Sequence, residues 1–184
     1  MADNLSTTSY ALLGLLVFDS ATSSDGLTGY ELKQRSDNTL RFYWASPAMS
    51  QIYTELTRLN RVGLVEPIST KKGRRTTRRY RITPVGRQAL HTWLRTSEVD
   101  FPVLKHPVAL RLMMGHLLAP EEVTAMLESY VRGLSARRAD LQEVRDSLGE
   151  VEAFRFPAMV ADWGLAYYDA EADIVGELVR RHRR

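Results

Sequence analysis

Three observations together predict a mostly α-helical chain with a small β wing. The expected architecture is an α+β fold in which a winged helix-turn-helix precedes a C-terminal α-helical dimerisation region. First, between Trp44 and Trp93 an apolar-striped helix is followed by two short strand-like runs. Second, the hinge between those runs gathers Lys71, Lys72, Arg74, Arg75, Arg78 and Arg79. Third, charge is divided unevenly: residues 1–95 carry 14 Lys+Arg against 7 Asp+Glu, whereas residues 96–184 carry 11 against 15. The basic half suits a polyanionic partner and the acidic half does not.

Bulk composition narrows the class. With 184 residues, 44% hydrophobic and 26% charged, the chain suits one ordinary globular domain or two small ones. The charge and pattern shift places the boundary between residues 1–96 and 97–184. The sequence has no cysteine, which excludes disulfides, thiol chemistry and Cys-ligated zinc and is compatible with a reducing cytoplasm. The apolar run over 10–18 is preceded only by the charge of Asp3 and is too short to span a bilayer. A soluble cytoplasmic protein without membrane association is expected.

Taken in order, Leu12, Leu13, Leu15, Leu16 and Phe18 crowd residues 8–19 as in a core helix. Ser23, Ser24, Asp25 and Gly26 mark 20–27 as a loop. Thr28 is placed to cap a second helix over 29–38, with Tyr30 and Leu32 inward and Lys33, Gln34 and Arg35 outward. Phe42, Tyr43 and Trp44 precede Ser46-Pro47, where a hydroxyl cap and an N1 proline start a third helix over 47–62. Gly63 suits its left-handed C-cap. Ile52, Leu56 and Leu59 give that helix one apolar stripe. Residues 64–69 and 78–83 read as strands, with 70–77 as the basic loop and Gly73 at its turn. Thr83-Pro84 opens a fourth helix through Leu90, Trp93 and Leu94.

Beyond residue 96 the pattern is helical. Residues 97–107 hold two prolines and read as a linker, and a short apolar helix over 108–118 ends at Ala119-Pro120. A long charged helix over 121–152 places Leu127, Leu134, Leu141 and Leu148 seven residues apart. Pro157 separates a last helix over 158–181, in which Val160, Trp163, Tyr167, Ala170, Ile174 and Leu178 keep 3–4 spacing. The leucine row with Ile174 and Leu178 forms the expected dimerisation surface. Pairing within one chain's bundle is the other use of the same row.

A winged helix places one helix and one basic loop on DNA. Ser50, Thr54, Thr57 and Arg61 fall opposite the apolar stripe, with Gln51 and Tyr53 beside them and Arg58 further along. Entering the major groove N-terminus first, this helix presents Ser50, Gln51 and Thr54 to base edges, and Gln suits adenine. Backbone amides near Ser46 are placed for a phosphate. The predicted interface is therefore Ser46, Ser50, Gln51, Tyr53, Thr54, Arg58 and Arg61 on the helix, with the six basic residues on the wing. Tyr53 is divided between a phosphate contact and packing. One winged helix makes few contacts, so two copies reading half-sites one helical turn apart, roughly 34 Å, are expected. The rival reading is a winged-helix module used for protein–protein contact.

Several motifs together resemble the PadR family of bacterial transcription regulators. They are YALLGLL (10–16), GYEL (29–32), YW (43–44), SQIYTELTRLNRVGLV (50–65) and YRITPVGRQALHTW (80–93). Ser50 stands where the family often has glycine. The resemblance implies a homodimeric, usually repressing protein on a palindromic operator in double-stranded DNA. It also implies the longer-tailed branch, whose C-terminal helices hold the dimer together. Since some members sense planar aromatic compounds, Trp93, Trp163, Tyr167 and Tyr168 are the candidate effector pocket; core or interface packing is the alternative use of these rings. His91, His106, His116 and His182 lack metal-ligand spacing. No phosphate-binding glycine loop, nucleophile elbow or paired-carboxylate motif stands out, so neither an enzyme nor a cofactor or metal is expected.

Overall fold

A computed structural model describes residues 5–22, 25–72, 75–98 and 105–183, the side chains of 21–22, 70–72 and 75–76 excepted. It divides into two compact units, Met1–Val99 and Asp100–Arg184.

The first unit is built on leucines. Helix α1 (Thr7–Thr22) supplies Leu12, Leu13, Leu15 and Leu16 to one core, and α2 (Gly29–Asn38) adds Leu32. Helix α3 (Met49–Arg61) adds the stripe Ile52, Leu56 and Leu59, each fully buried. Full burial of such side chains contributes about 1.5–3 kcal/mol apiece, enough to seat α3 firmly on the core. Ser9 is buried too, and its hydroxyl is satisfied by donating to Glu55 of α3. Strands β1 (Val65–Lys72) and β2 (Arg75–Ile82) form an antiparallel hairpin in which Val65 faces Ile82, Pro67 faces Tyr80 and Ser69 faces Arg78.

A third segment pairs with this sheet at one residue. Leu27 donates to the Tyr80 carbonyl at 2.9 Å and accepts from the Tyr80 amide at 2.7 Å, tying the loop before α2 to β2. Gly26 makes that approach possible: its φ is 69°, and a Cβ there would lie 2.5 Å from the Tyr80 oxygen. Helix α4 (Pro84–Thr96) starts where expected, with the Thr83 hydroxyl accepting from the Gly86 amide at 3.0 Å. Trp93 of α4 stacks on Tyr10 of α1, with centroids 4.6 Å apart and planes 9° apart.

In the second unit, α5 (Pro107–Met113) leads through a short 3₁₀ turn to α6 (Pro120–Leu148) and α7 (Arg155–His182). Gly149, at φ 58°, closes α6. Helices α6 and α7 pair antiparallel, as their ion pairs record: Arg183 with Glu128, Arg138 with Asp169 and Arg145 with Asp162. Proline 157 lies in the first turn of α7 rather than ahead of it, because proline is tolerated where no intrahelical N–H is required.

Candidate nucleic-acid interface

Helix α3 begins at Met49, two residues later than the Ser46-Pro47 pair predicts. The reason lies in α2. Ser46 donates to Asp37 at 2.5 Å and accepts from Lys33 at 3.1 Å, so its hydroxyl is held by a charged pair and does not cap α3. The cap comes instead from Gln51, whose amide oxygen accepts from the Ala48 N–H at 3.0 Å. That bond fixes the carboxamide at the exposed helix start. Ser50, Gln51, Tyr53 and Thr54 are all exposed, and Arg58 and Arg61 follow on the later turns. Thr54 and Thr57 donate back to the Ser50 and Tyr53 carbonyls at 2.9 Å.

Tyr53 packs without being buried. A Cβ on Gly29 would lie 2.6 Å from its ring, so the ring packs on the start of α2. Yet the side chain remains 48% exposed. The neighbouring Tyr30 departs from expectation: it is 59% exposed rather than inward. Counting 100° per residue from Leu32 puts Tyr30 on the opposite face, so the signal was present in the helical wheel. The Tyr30 hydroxyl accepts from Gln34 of the same helix at 3.2 Å.

The wing is longer than the alternation suggests. Both strands extend into the basic run, with Lys71 opposite Thr76 and Lys72 opposite Arg75. The β-branched Thr70, Thr76 and Thr77 favour this extension. Gly73 and Arg74 lie outside the described residues, as do the side chains of Lys71, Lys72 and Arg75. Arg78 is exposed, its guanidinium 5.4 Å from the Tyr80 ring centre. Arg79 is different. Its Nε donates to the Asp25 and Gly26 carbonyls at 3.1 and 3.0 Å, and its terminal nitrogen to Gly26 at 2.8 Å and Glu31 at 3.0 Å. This arginine is held at the wing's base.

In the second unit the leucine row turns inward. Leu127, Leu134 and Leu141 are buried. Leu127 packs with Val175 and Val179 of α7, and Leu178 flanks that cluster. Leu141 lies against Gly164, where an added Cβ would stand 2.7 Å from it. Leu148 is half-buried. The exposed apolar stripe is instead Phe156, Met159, Trp163, Tyr167 and Ile174 along α7.

Of the four candidate effector aromatics, three belong to the second unit. Trp93 belongs to the first unit and Trp163 is 73% exposed. Tyr167 and Tyr168 line a cavity of about 660 Å³ between α5, α6 and α7, with Tyr130, Met126, Arg111 and Arg137. Beside it His106 Nε2 meets Glu171 at 2.7 Å, and the Tyr130 hydroxyl donates to Glu171 at 3.3 Å. Burial, reinforced by the Glu171 charge, pushes the Tyr130 phenol up to about 12. Among the described residues no three His, Asp or Glu side chains form a metal-binding group, and no helix is long and apolar enough to cross a membrane.

A helix-turn-helix backed by a basic two-stranded wing defines the winged helix-turn-helix class. Comparison with known proteins narrows this. A family model for the transcriptional regulator PadR-like family matches residues 20–92, and one for the virulence activator alpha C-terminal region matches 104–181. The negative transcriptional regulator PadR of Bacillus subtilis (strain 168) is 28% identical over 134 residues, covering 72% of this chain and 70% of that protein. The crystal structure of Bacillus subtilis PadR in complex with operator DNA matches with a TM-score of 0.82 and 23% identity, over 96% of this chain and 99% of that one. The same protein in complex with p-coumaric acid matches with a TM-score of 0.74 and 23% identity, over 96% and 98%. Over residues 20–92 the chain is thus similar to the PadR-like family of transcriptional regulators, and its fold is that of the Bacillus subtilis PadR structures.

Proposed function

We propose that this chain is a sequence-specific DNA-binding regulator, a homodimeric repressor of a palindromic operator that works in the cytoplasm on the nucleoid. The observation that carries the reading is the division of α3: Ile52, Leu56 and Leu59 are fully buried while Ser50, Gln51 and Thr54 are exposed. The α3 start enters the major groove, where the Gln51 carboxamide meets adenine and the Thr54 methyl meets thymine. Lys71, Lys72, Arg74, Arg75 and Arg78 track the phosphates. The operator complex and the name of the Bacillus subtilis relative support DNA binding and repression.

The second chain covers the α7 stripe that includes Ile174, while Leu127, Leu134, Leu141, Leu148 and Leu178 stiffen the hairpin that presents it. A small planar aromatic acid releases the repressor. The tyrosine walls and the rim arginines of the α5–α6–α7 cavity suit such a molecule, and the p-coumaric acid complex of the relative supports it.

Fluorescence anisotropy tests the reading, with the duplex from just upstream of the chain's own gene compared with a scrambled duplex at several salt concentrations. A steep salt slope with preference for the upstream duplex is expected if the gene regulates itself. A steep slope without preference places the operator elsewhere. No binding to either duplex at low salt overturns the reading.

A further inference from the structure

Three segments meet at the base of the wing: β2, the loop 25–27 and the start of α2. Glu31 joins them. One carboxylate oxygen accepts from the Thr28 amide at 2.7 Å, while the Thr28 hydroxyl accepts from the Glu31 amide at 3.1 Å, a reciprocal cap on α2. The other carboxylate oxygen accepts from Arg79 at 3.0 Å. Arg79 thus binds two loop carbonyls and the capping carboxylate at once, a fan of contacts that a planar guanidinium makes and an ammonium does not reproduce. From α2 the contact continues to α3, because Tyr53 rests on Gly29. The wing is therefore tied through Arg79 and Glu31 to the first turn of α2, and that same turn, at Gly29, bears on Tyr53 of α3.

We propose that Arg79 is a positioning residue for DNA recognition: through Glu31 it fixes the wing relative to α3, and it does not contact phosphate. The proposal rests on the DNA-binding reading above. It separates Arg79 from Arg78, its neighbour in the same basic run, whose side chain is exposed and open to neutralise a phosphate. Wing and reading helix then approach the duplex as one preset unit. A change at this joint misaligns base contacts while the number of phosphate contacts stays the same.

The test uses the full-length protein and a duplex enriched by the wild type from a random-sequence pool, with a scrambled duplex as control. Arg79→Lys keeps the charge and loses the fan. Glu31→Gln keeps a capping oxygen and loses the ion pair, and it lies outside the basic run. Each is expected to lower the preference for the enriched duplex by roughly tenfold, the size of one misplaced base contact. Their salt slopes and their affinity for scrambled DNA stay at wild-type values. Arg78→Ala, by contrast, weakens both duplexes and flattens the slope by ~0.9 for each phosphate it leaves unneutralised.

Retained preference in Arg79→Lys overturns the proposal, and so does a slope that falls in Arg79→Ala as it does in Arg78→Ala. General destabilisation reduces binding to both duplexes equally, a pattern that also overturns it. Should an Arg79 variant fail to fold by circular dichroism, Glu31→Gln decides the matter. A wild type that enriches no sequence and shows no salt-dependent binding defeats the DNA reading itself, and this proposal with it. A specific wild type with an unaffected Glu31→Gln defeats the positioning role alone.

Discussion

Gly86 shows how tightly one position can be specified. A Cβ there would lie 2.1 Å from the Leu64 carbonyl oxygen, a backbone atom with no rotamer to yield. Gly86→Ala is expected to destabilise the protein by about 3 kcal/mol, at or beyond the upper end for overpacking, read as a lower urea midpoint. Leu56, fully buried in α3, predicts a loss of about 2–5 kcal/mol on substitution by Ala in the same assay. Glu31 gives a pH signature. Burial alone would raise its carboxyl, but the Thr28 amide and hydroxyl and the Arg79 charge outweigh it and hold the group below the usual value. An acid depressed on folding adds stability above its unfolded pKa and loses it as pH falls through the folded one. The melting temperature should therefore drop on acidification below the usual glutamate range, less steeply in Glu31→Gln. Local rules foresaw Thr28 as the cap; the capping-box spacing from Thr28 to Glu31 is in the sequence too, though only the cap was read from it. The partner from β2 was invisible: Arg78 and Arg79 are chemically identical, and only the fold decides which one meets loop carbonyls.

At the scale of elements, helix starts with local chemistry were readable and those governed by tertiary contacts were not. Helix α2 spans the anticipated 29–38 because Thr28 caps it, and α4 starts at Thr83-Pro84 for the same reason. Thr28→Ala should cost about 1 kcal/mol, measured by thermal unfolding. Helix α3 starts late because Asp37 and Lys33, distant in sequence, take the Ser46 hydroxyl. Its apolar stripe was legible from spacing alone, and so was its polar face. Gln51→Ala is expected to change which duplex sequence is enriched from a random pool. Equal losses on enriched and scrambled DNA would argue against base reading. The wing's length was underestimated because alternation fades where lysine and arginine replace apolar residues, although backbone pairing continues.

Across the whole molecule, composition changes near residue 96 and the two compact units divide after Val99, but the sequence left the use of the leucine row open. A seven-residue repeat states that a helix has a partner and does not state which chain supplies it. Gly164 against Leu141, with the ion pairs flanking the seam, places that partner within the chain. On the proposed dimer reading, the surface open to a second copy is the exposed α7 stripe, which lies on another face of the helix from Gly164, Val175 and Val179. Trp163→Asp is therefore expected to leave the hairpin folded and to shift sedimentation toward the monomer. The salt slope should fall to about half, since one head would bind alone. A dimeric Trp163→Asp protein with wild-type slope would move the interface elsewhere.

The rung between Leu27 and Tyr80 has a consequence for Pro67. Both backbone groups of Tyr80 point to Leu27, so Pro67, its partner across the hairpin, turns its own backbone away from β2. Proline costs the ladder nothing there, and it removes a donor from the sheet's outer margin. One margin is occupied by the loop and the other is interrupted. Two copies brought side by side are thereby kept from joining their wings strand to strand, the aggregation route that an open sheet edge offers.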